Sequence, residues 1–161
     1  AAIPVDRQWV GAADVVDAAI AYVRPLFEGH ALRVEAHGDM QTEIDPRLAS
    51  GALSHLLENA AQYSPADREI VVRASVEGDG LHVTVTDHGP GLVSGELQHL
   101  FDRFFRGHSA RQRSSGTGMG LAITRGLLEA AGGRVWAENA PGGGARFSMI
   151  VPGPVRPSTV P

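Results

Sequence analysis

The sequence predicts an α/β two-layer sandwich: a mixed, mostly antiparallel sheet with helices on one face. Three observations lead there. Leu48, Ala52, Leu53, Leu56, Leu57, Ala60 and Ala61 recur at helical spacing and form one broad apolar stripe. Residues 69–77 and 81–87 alternate with period two about Gly78-Asp79-Gly80, the pattern of a β-hairpin. The element order, α-β-(β)-α-β-β-α-α-β-β, interleaves helices and strands throughout.

Taken in order, residues 1–9 read as an extended lead-in. Val10 to Phe27 carries apolar residues near helical spacing, with Pro25 straining the last turn and Glu28-Gly29-His30 ending it. Residues 31–36 alternate as a short strand. Asp45-Pro46 is a helix start, with Asp at the N-cap and Pro in the first turn, and the helix runs to about Gln62. Tyr63-Ser64-Pro65 breaks it before the hairpin. Ser94 to Phe101 reads as a short helix capped by Ser94. Residues 106–117 lack an apolar period and read as a mobile loop. A helix from Gly118 to Ala131 closes at Gly132-Gly133, and two strands, 134–138 and 145–151, flank Pro141-Gly142-Gly143-Gly144. Residues 152–161 contain four prolines and read as a disordered tail.

Bulk properties narrow the function. The chain has 161 residues, enough for one domain with a real core. A net charge of -4 and a pI near 5.9 argue against a dedicated nucleic-acid binder. No run of about 18 apolar residues could cross a membrane, no leader pattern stands at the start, and no cysteine is present. All 14 basic residues are Arg. A Walker loop, a protein-kinase phosphate site and a pyridoxal Schiff base each need Lys, so those classes are excluded. Phosphate recognition must come from backbone N–H groups, a metal or Arg.

Four blocks between residues 55 and 120 carry candidate chemistry. His55 and Asn59 lie four apart on one helix face; Asn59 either bonds a neighbouring carbonyl or offers its amide oxygen to Mg²⁺. Asp87 ends a strand and meets Gly89-Pro90-Gly91. That is either an ordinary turn or a carboxylate placed to accept a hydrogen bond from an exocyclic amine such as adenine N6. Phe101, Phe104 and Phe105 sit beside Arg103 and Arg106, as core anchors or as a dock for a partner. Gly116-Thr117-Gly118-Met119-Gly120 opens a helix, where free N–H groups and the helix dipole favour an anion; the alternative is a plain linker. The Rossmann pattern does not fit, because Leu121 stands where its third glycine would be.

Together these blocks resemble the catalytic ATP-binding domain of bacterial sensor histidine kinases, whose ATPase fold is shared with gyrase, Hsp90 and MutL. The block at Asn59 resembles the family's N box, residues 87–91 its first glycine box, 100–106 its F box, 116–120 its second glycine box and 142–147 a third. The match covers roughly residues 4–151. Ala122 to Gly126 and Gly132 to Asn139 are similar to the potassium-responsive sensor kinases. Three departures stand out: His55 replaces a usual Asn, Gln62 a usual Lys, and Ala145 a frequent Thr.

The resemblance implies ATP and Mg²⁺ as cofactors, with Asn59 on the metal and Tyr63 packed against adenine. Asp87 would bind the adenine amine, and Gly89 and Gly91 would shape the base pocket. Gly116, Gly118 and Gly120 would contact phosphates, with Thr117, Met119 and Leu121 lining the same stretch. Residues 92–117 would form an ATP lid, with Arg103 or Arg106 near the phosphates. His55 is a candidate ligand for a phosphate or a metal-bound water. None of the histidines at 30, 37, 55, 82, 88, 99 and 108 has the context of a phosphoacceptor. The implied activity is therefore γ-phosphoryl transfer to a histidine on a separate dimerisation and phosphoacceptor domain of the same kinase, with a response regulator downstream. The catalytic domain would span residues 10–151 and stand in the cytoplasm, joined to the membrane only through sensor segments outside this chain. An anti-sigma-factor serine kinase and a nucleotide-binding regulatory module without phosphotransfer are the alternatives.

Overall fold

A computed structural model describes residues 5–27, 29–36, 38–102 and 120–158. Its main sheet has five strands: β2 (Leu32–Ala36), β4 (Ile70–Glu77), β5 (Gly80–Thr86), β6 (Arg134–Asn139) and β7 (Ala145–Pro152). They run in the order β2-β4-β5-β7-β6. Only β2 and β4 pair in parallel; the other three pairings are antiparallel. The mixed, mostly antiparallel sheet expected from sequence is the one observed.

Alternation decides which face is covered. Ile70, Val72, Ala74 and Val76 of β4 are buried, as are Leu81, Val83 and Val85 of β5 and Phe147, Met149 and Val151 of β7. The intervening positions carry Arg73, His82, Thr84 and Arg146, which are not buried. Three helices, α1 (Ala12–Val23), α2 (Pro46–Tyr63) and α3 (Gly120–Ala130), cover the apolar face. Central α2 buries Leu48, Ala49, Ala52, Leu53, Leu56, Leu57 and Ala60, the stripe visible in the sequence. Its start is also as read: Asp45 Oδ1 accepts the Arg47 N–H at 2.9 Å, and Pro46 needs no partner.

Several boundaries differ from the sequence reading. The first helix does not begin at Val10. Residues Gln8–Gly11 form strand β1, and α1 starts once the Asp14 carboxylate accepts the Gly11 N–H at 2.9 Å. Pro25 ends α1, because the chain from Arg24 to Phe27 tightens into a 3-10 turn. Ser94–His99 is likewise 3-10 rather than α, with Val93 at its N-cap. The expected loop at 106–117 lies outside the described residues.

The largest correction concerns the C-terminal tail. Residues 152–157 are not an unstructured run: Val155–Pro157 form β8, which pairs with β3 (Met40–Ile44). With β1 they make a second antiparallel sheet in the order β1-β3-β8. Buried Thr42 donates its hydroxyl to the Pro154 carbonyl at 2.8 Å, and Arg156 lies 4.2 Å from the Trp9 ring centroid. Proline costs little here because β8 is an edge strand.

Candidate nucleotide site

The site begins where β5 stops. Asp87 is only 3% exposed. Its own N–H donates to the Ala145 carbonyl at 2.9 Å, the last rung between β5 and β7. Its Oδ1 accepts two further bonds, from Ala145 N–H at 3.0 Å and Gly89 N–H at 2.9 Å. Oδ2 accepts no hydrogen bond among the described residues and remains available to a donor. Burial pushes the carboxyl above its ordinary value, while the Ala145 and Gly89 N–H bonds and the neighbouring His88 pull the other way.

Three glycines let the backbone wrap this carboxylate. A Cβ on Gly89 would come 2.6 Å from the Tyr63 carbonyl oxygen, so the turn is backed directly onto the end of α2. Gly144 has φ +83°, and a Cβ there would overlap the Asp87 carbonyl oxygen. Gly91 also has φ +83°, with the Asn139 side-chain oxygen 2.9 Å from its would-be Cβ. The same join is tied by Ser64, the C-cap of α2, whose hydroxyl accepts the His88 N–H at 3.2 Å. His88 Nδ1 in turn bonds the Glu69 carbonyl.

α2 contributes a stripe at four-residue spacing: His55, Asn59 and Tyr63, all half-buried. Because Tyr63 abuts Gly89, this stripe ends at the Asp87 turn. His55 Nδ1 is buried without a hydrogen bond and lies 3.8 Å from Glu58 Oε2. α3 packs against α2, with a Cβ on Gly51 3.5 Å from Leu127 Cδ1. Gly120, the first residue of α3, is exposed, and Leu121 is half-buried against the core. Of the remaining sequence candidates, Arg103, Arg106, Gly116, Thr117, Gly118 and Met119 lie outside the described residues, as do Phe104 and Phe105.

Phe101 is a core anchor, 8% exposed and edge-on to Phe147 at 6.2 Å between centroids. Beside it Asp102 meets Arg125 of α3 at 3.6 Å and His99 at 3.0 Å. Sequence reasoning missed Asn139, Arg125 and Ser64. At Ala145 the backbone N–H holds Asp87, and the side chain is buried. No group of three His, Cys, Asp or Glu able to hold a metal occurs among the described residues. A groove of about 640 Å³ between α1 and β2, lined by Ile20, Phe27, His30 and Leu32, shares no residue with this constellation.

Comparison with known proteins identifies the family and the fold. Residues 44–155 match the family described as histidine kinase-, DNA gyrase B- and HSP90-like ATPase. The sensor protein KdpD of Escherichia coli K12 is 36% identical over 146 residues, covering 91% of this chain and 16% of that protein. The sensor histidine kinase WalK of Bacillus subtilis is 30% identical over 152 residues, covering 91% of this chain and 25% of WalK. The mycobacterial sensor histidine kinase MprB superimposes with a TM-score of 0.79 at 26% identity, over 95% of this chain and all of that one. The chain thus spans a quarter or less of these two curated relatives. It belongs to the histidine kinase-, DNA gyrase B- and HSP90-like ATPase family, as a catalytic ATPase domain of the sensor histidine kinase kind.

Proposed function

We propose that the domain binds MgATP, with adenine at Asp87 and phosphates near the N-terminus of α3. It then passes the γ-phosphoryl group to a histidine on a separate dimerisation and phosphoacceptor domain of the same kinase. The observation that carries this reading is the buried Asp87 carboxylate. Two backbone N–H groups hold one of its oxygens, leaving the other for an exocyclic amine. Tyr63, at the end of α2, would pack on the base, and Gly89 and Gly91 would let the backbone approach it.

Asn59 fits the metal role: a half-buried neutral amide on the site-facing stripe, which makes no hydrogen bond among the described residues. Mg²⁺ is content with one protein oxygen alongside phosphates and waters, and when bound it would offset phosphate charge. His55, one turn earlier, would bond a phosphate or a metal-bound water. Arg103 or Arg106 would supply the cation that the missing Lys would otherwise give, and Gly116 to Leu121 would cradle the phosphates. In the transfer, the bond from the γ-phosphorus to the ADP oxygen breaks and one to an imidazole nitrogen forms. The imidazole proton leaves to a base on the acceptor domain. This domain's share is orientation and charge stabilisation.

The acceptor domain and a downstream response regulator are the proposed partners, and a membrane-bound sensor with this domain in the cytoplasm is the proposed setting. Among the described residues no helix is long and apolar enough to cross a membrane. Similarity to KdpD proteins of two bacteria supports the potassium-responsive subclass. The test is to supply an acceptor helical hairpin and labelled ATP. Acid-labile, base-stable label on the hairpin is expected; nucleotide binding without transfer would leave a regulatory module instead.

A further inference from the structure

The hairpin of β6 and β7 grips the glycine turn at two points. One is the Ala145–Asp87 pairing already described. The other is Asn139, the last residue of β6, 47 positions from its partner. Its side-chain oxygen accepts the Leu92 N–H at 2.7 Å, and its side-chain NH₂ donates to the Leu92 carbonyl at 3.1 Å. An amide side chain here imitates a strand neighbour, satisfying both polar groups of one residue. Gly91 and Leu92 make no backbone-to-backbone bond with the described residues outside regular elements, and Pro90 has no N–H to give. Between Gly89 and the 3-10 turn at Ser94, Asn139 therefore supplies the tie that fixes the path of the chain. Gly91 is shaped to it as well, because a Cβ there would meet the Asn139 oxygen at 2.9 Å.

We propose that Asn139 is a positioning residue for the base pocket: by clamping Leu92 it holds Gly91 and Leu92 in their nucleotide-ready path before ligand arrives. The proposal rests on reading Asp87 as the adenine acceptor. Asn139 is exposed, so its two neutral hydrogen bonds add little to global stability. They govern instead what fraction of molecules has a pre-formed turn. Apparent affinity falls in proportion to that fraction, so a turn closed in one molecule of ten binds about tenfold more weakly.

The experiment combines amide hydrogen exchange on the unliganded chain with calorimetric titration of ADP and of a non-hydrolysable ATP analogue, for wild type, Asn139→Ala and Asn139→Asp. In Asn139→Ala the Leu92 amide is expected to exchange at least about tenfold faster, while protection in α2 is unchanged. Affinity for both nucleotides should fall by the same factor, about tenfold, because the lesion lies at the base and not the phosphates. Asn139→Asp keeps the acceptor for the Leu92 N–H, loses the donor to its carbonyl, and should fall between. Unchanged Leu92 exchange, or nucleotide affinities within twofold of wild type, would overturn the proposal. A loss restricted to the triphosphate would also overturn it. A wild-type chain that binds neither nucleotide would instead refute the reading of the site itself.

Discussion

Asp87 and Ala145, 58 residues apart, exchange two hydrogen bonds: the Asp87 N–H reaches the Ala145 carbonyl at 2.9 Å, and the Ala145 N–H reaches Asp87 Oδ1 at 3.0 Å. One residue thus ends a strand ladder and presents a carboxylate. The pairing aims that carboxylate by backbone alone, so its direction does not depend on any second side chain.

The Asp87→Asn variant follows directly. Burial raises the carboxyl of the folded protein above its ordinary value of about 3.8. The folded state therefore holds its proton more tightly than the unfolded one, and stability falls as pH rises from about 3.8 through the raised value. Asn keeps an acceptor for Gly89 and Ala145 and carries no charge. We expect its thermal midpoint at pH 7 to equal or exceed that of wild type, with this part of the pH slope gone. Nucleotide affinity should nevertheless fall about a hundredfold, roughly 2.7 kcal/mol, because an N–H would face the adenine N–H. Melting curves at pH 4 and 7 with parallel titrations check both halves.

Asp45 has the opposite sign. Burial pushes its carboxyl up, but the N–H groups of Asp6, Arg47 and Leu48, with the Arg47 charge, outweigh it and hold the value below the ordinary one. Its contribution is present above about pH 3.8 and lost as pH falls through the lowered value. Asp45→Ala should cost about 1–2 kcal/mol at pH 7 by removing the N-cap of α2, and clearly less at pH 2. Urea unfolding at the two pH values reads this.

The glycine run Gly142-Gly143-Gly144 should behave unevenly. Gly144 combines φ +83° with a Cβ position that overlaps the Asp87 carbonyl, whereas Gly142 has open space and no positive φ. Gly144→Ala is expected to cost more than about 2 kcal/mol and to abolish nucleotide binding, while Gly142→Ala stays within about 0.5 kcal/mol. Denaturant midpoints and titration of the two variants make the comparison.

Phe101 and Arg125 of α3 should separate by mechanism. Phe101 is buried against Phe147, so Phe101→Ala should cost about 3 kcal/mol or more. Arg125 and Asp102 are both over two-fifths exposed, so Arg125→Ala should cost less than about 1 kcal/mol. A double-mutant cycle of Arg125 with Asp102 should give coupling under about 1 kcal/mol.

Much of this was legible in the sequence, where local chemistry and tertiary need coincide. The α2 stripe, the Asp45-Pro46 start, the hairpin about Gly78-Asp79-Gly80 and the Asp87 turn each follow from short-range pattern. What escaped is non-local. β8 is only three residues long and looks like a proline-rich tail until β3 supplies its hydrogen bonds. β1 continues smoothly into the apolar period of α1, so Val10 reads as helix although it pairs with Thr42. Asn139 ends an unremarkable strand, and nothing within ten residues of it announces a partner at Leu92. Sequence located the carboxylate and the two strands of the β6–β7 hairpin, but not the contacts by which that hairpin holds the carboxylate in place.

The most direct test of the central claim is calorimetric titration of this chain with a non-hydrolysable ATP analogue, with and without Mg²⁺, alongside Asp87→Asn. The account predicts saturable binding of one nucleotide per chain, strengthened by Mg²⁺ and weakened about a hundredfold in Asp87→Asn while the fold is retained. Equal binding by Asp87→Asn, or none by wild type at millimolar analogue, would contradict it.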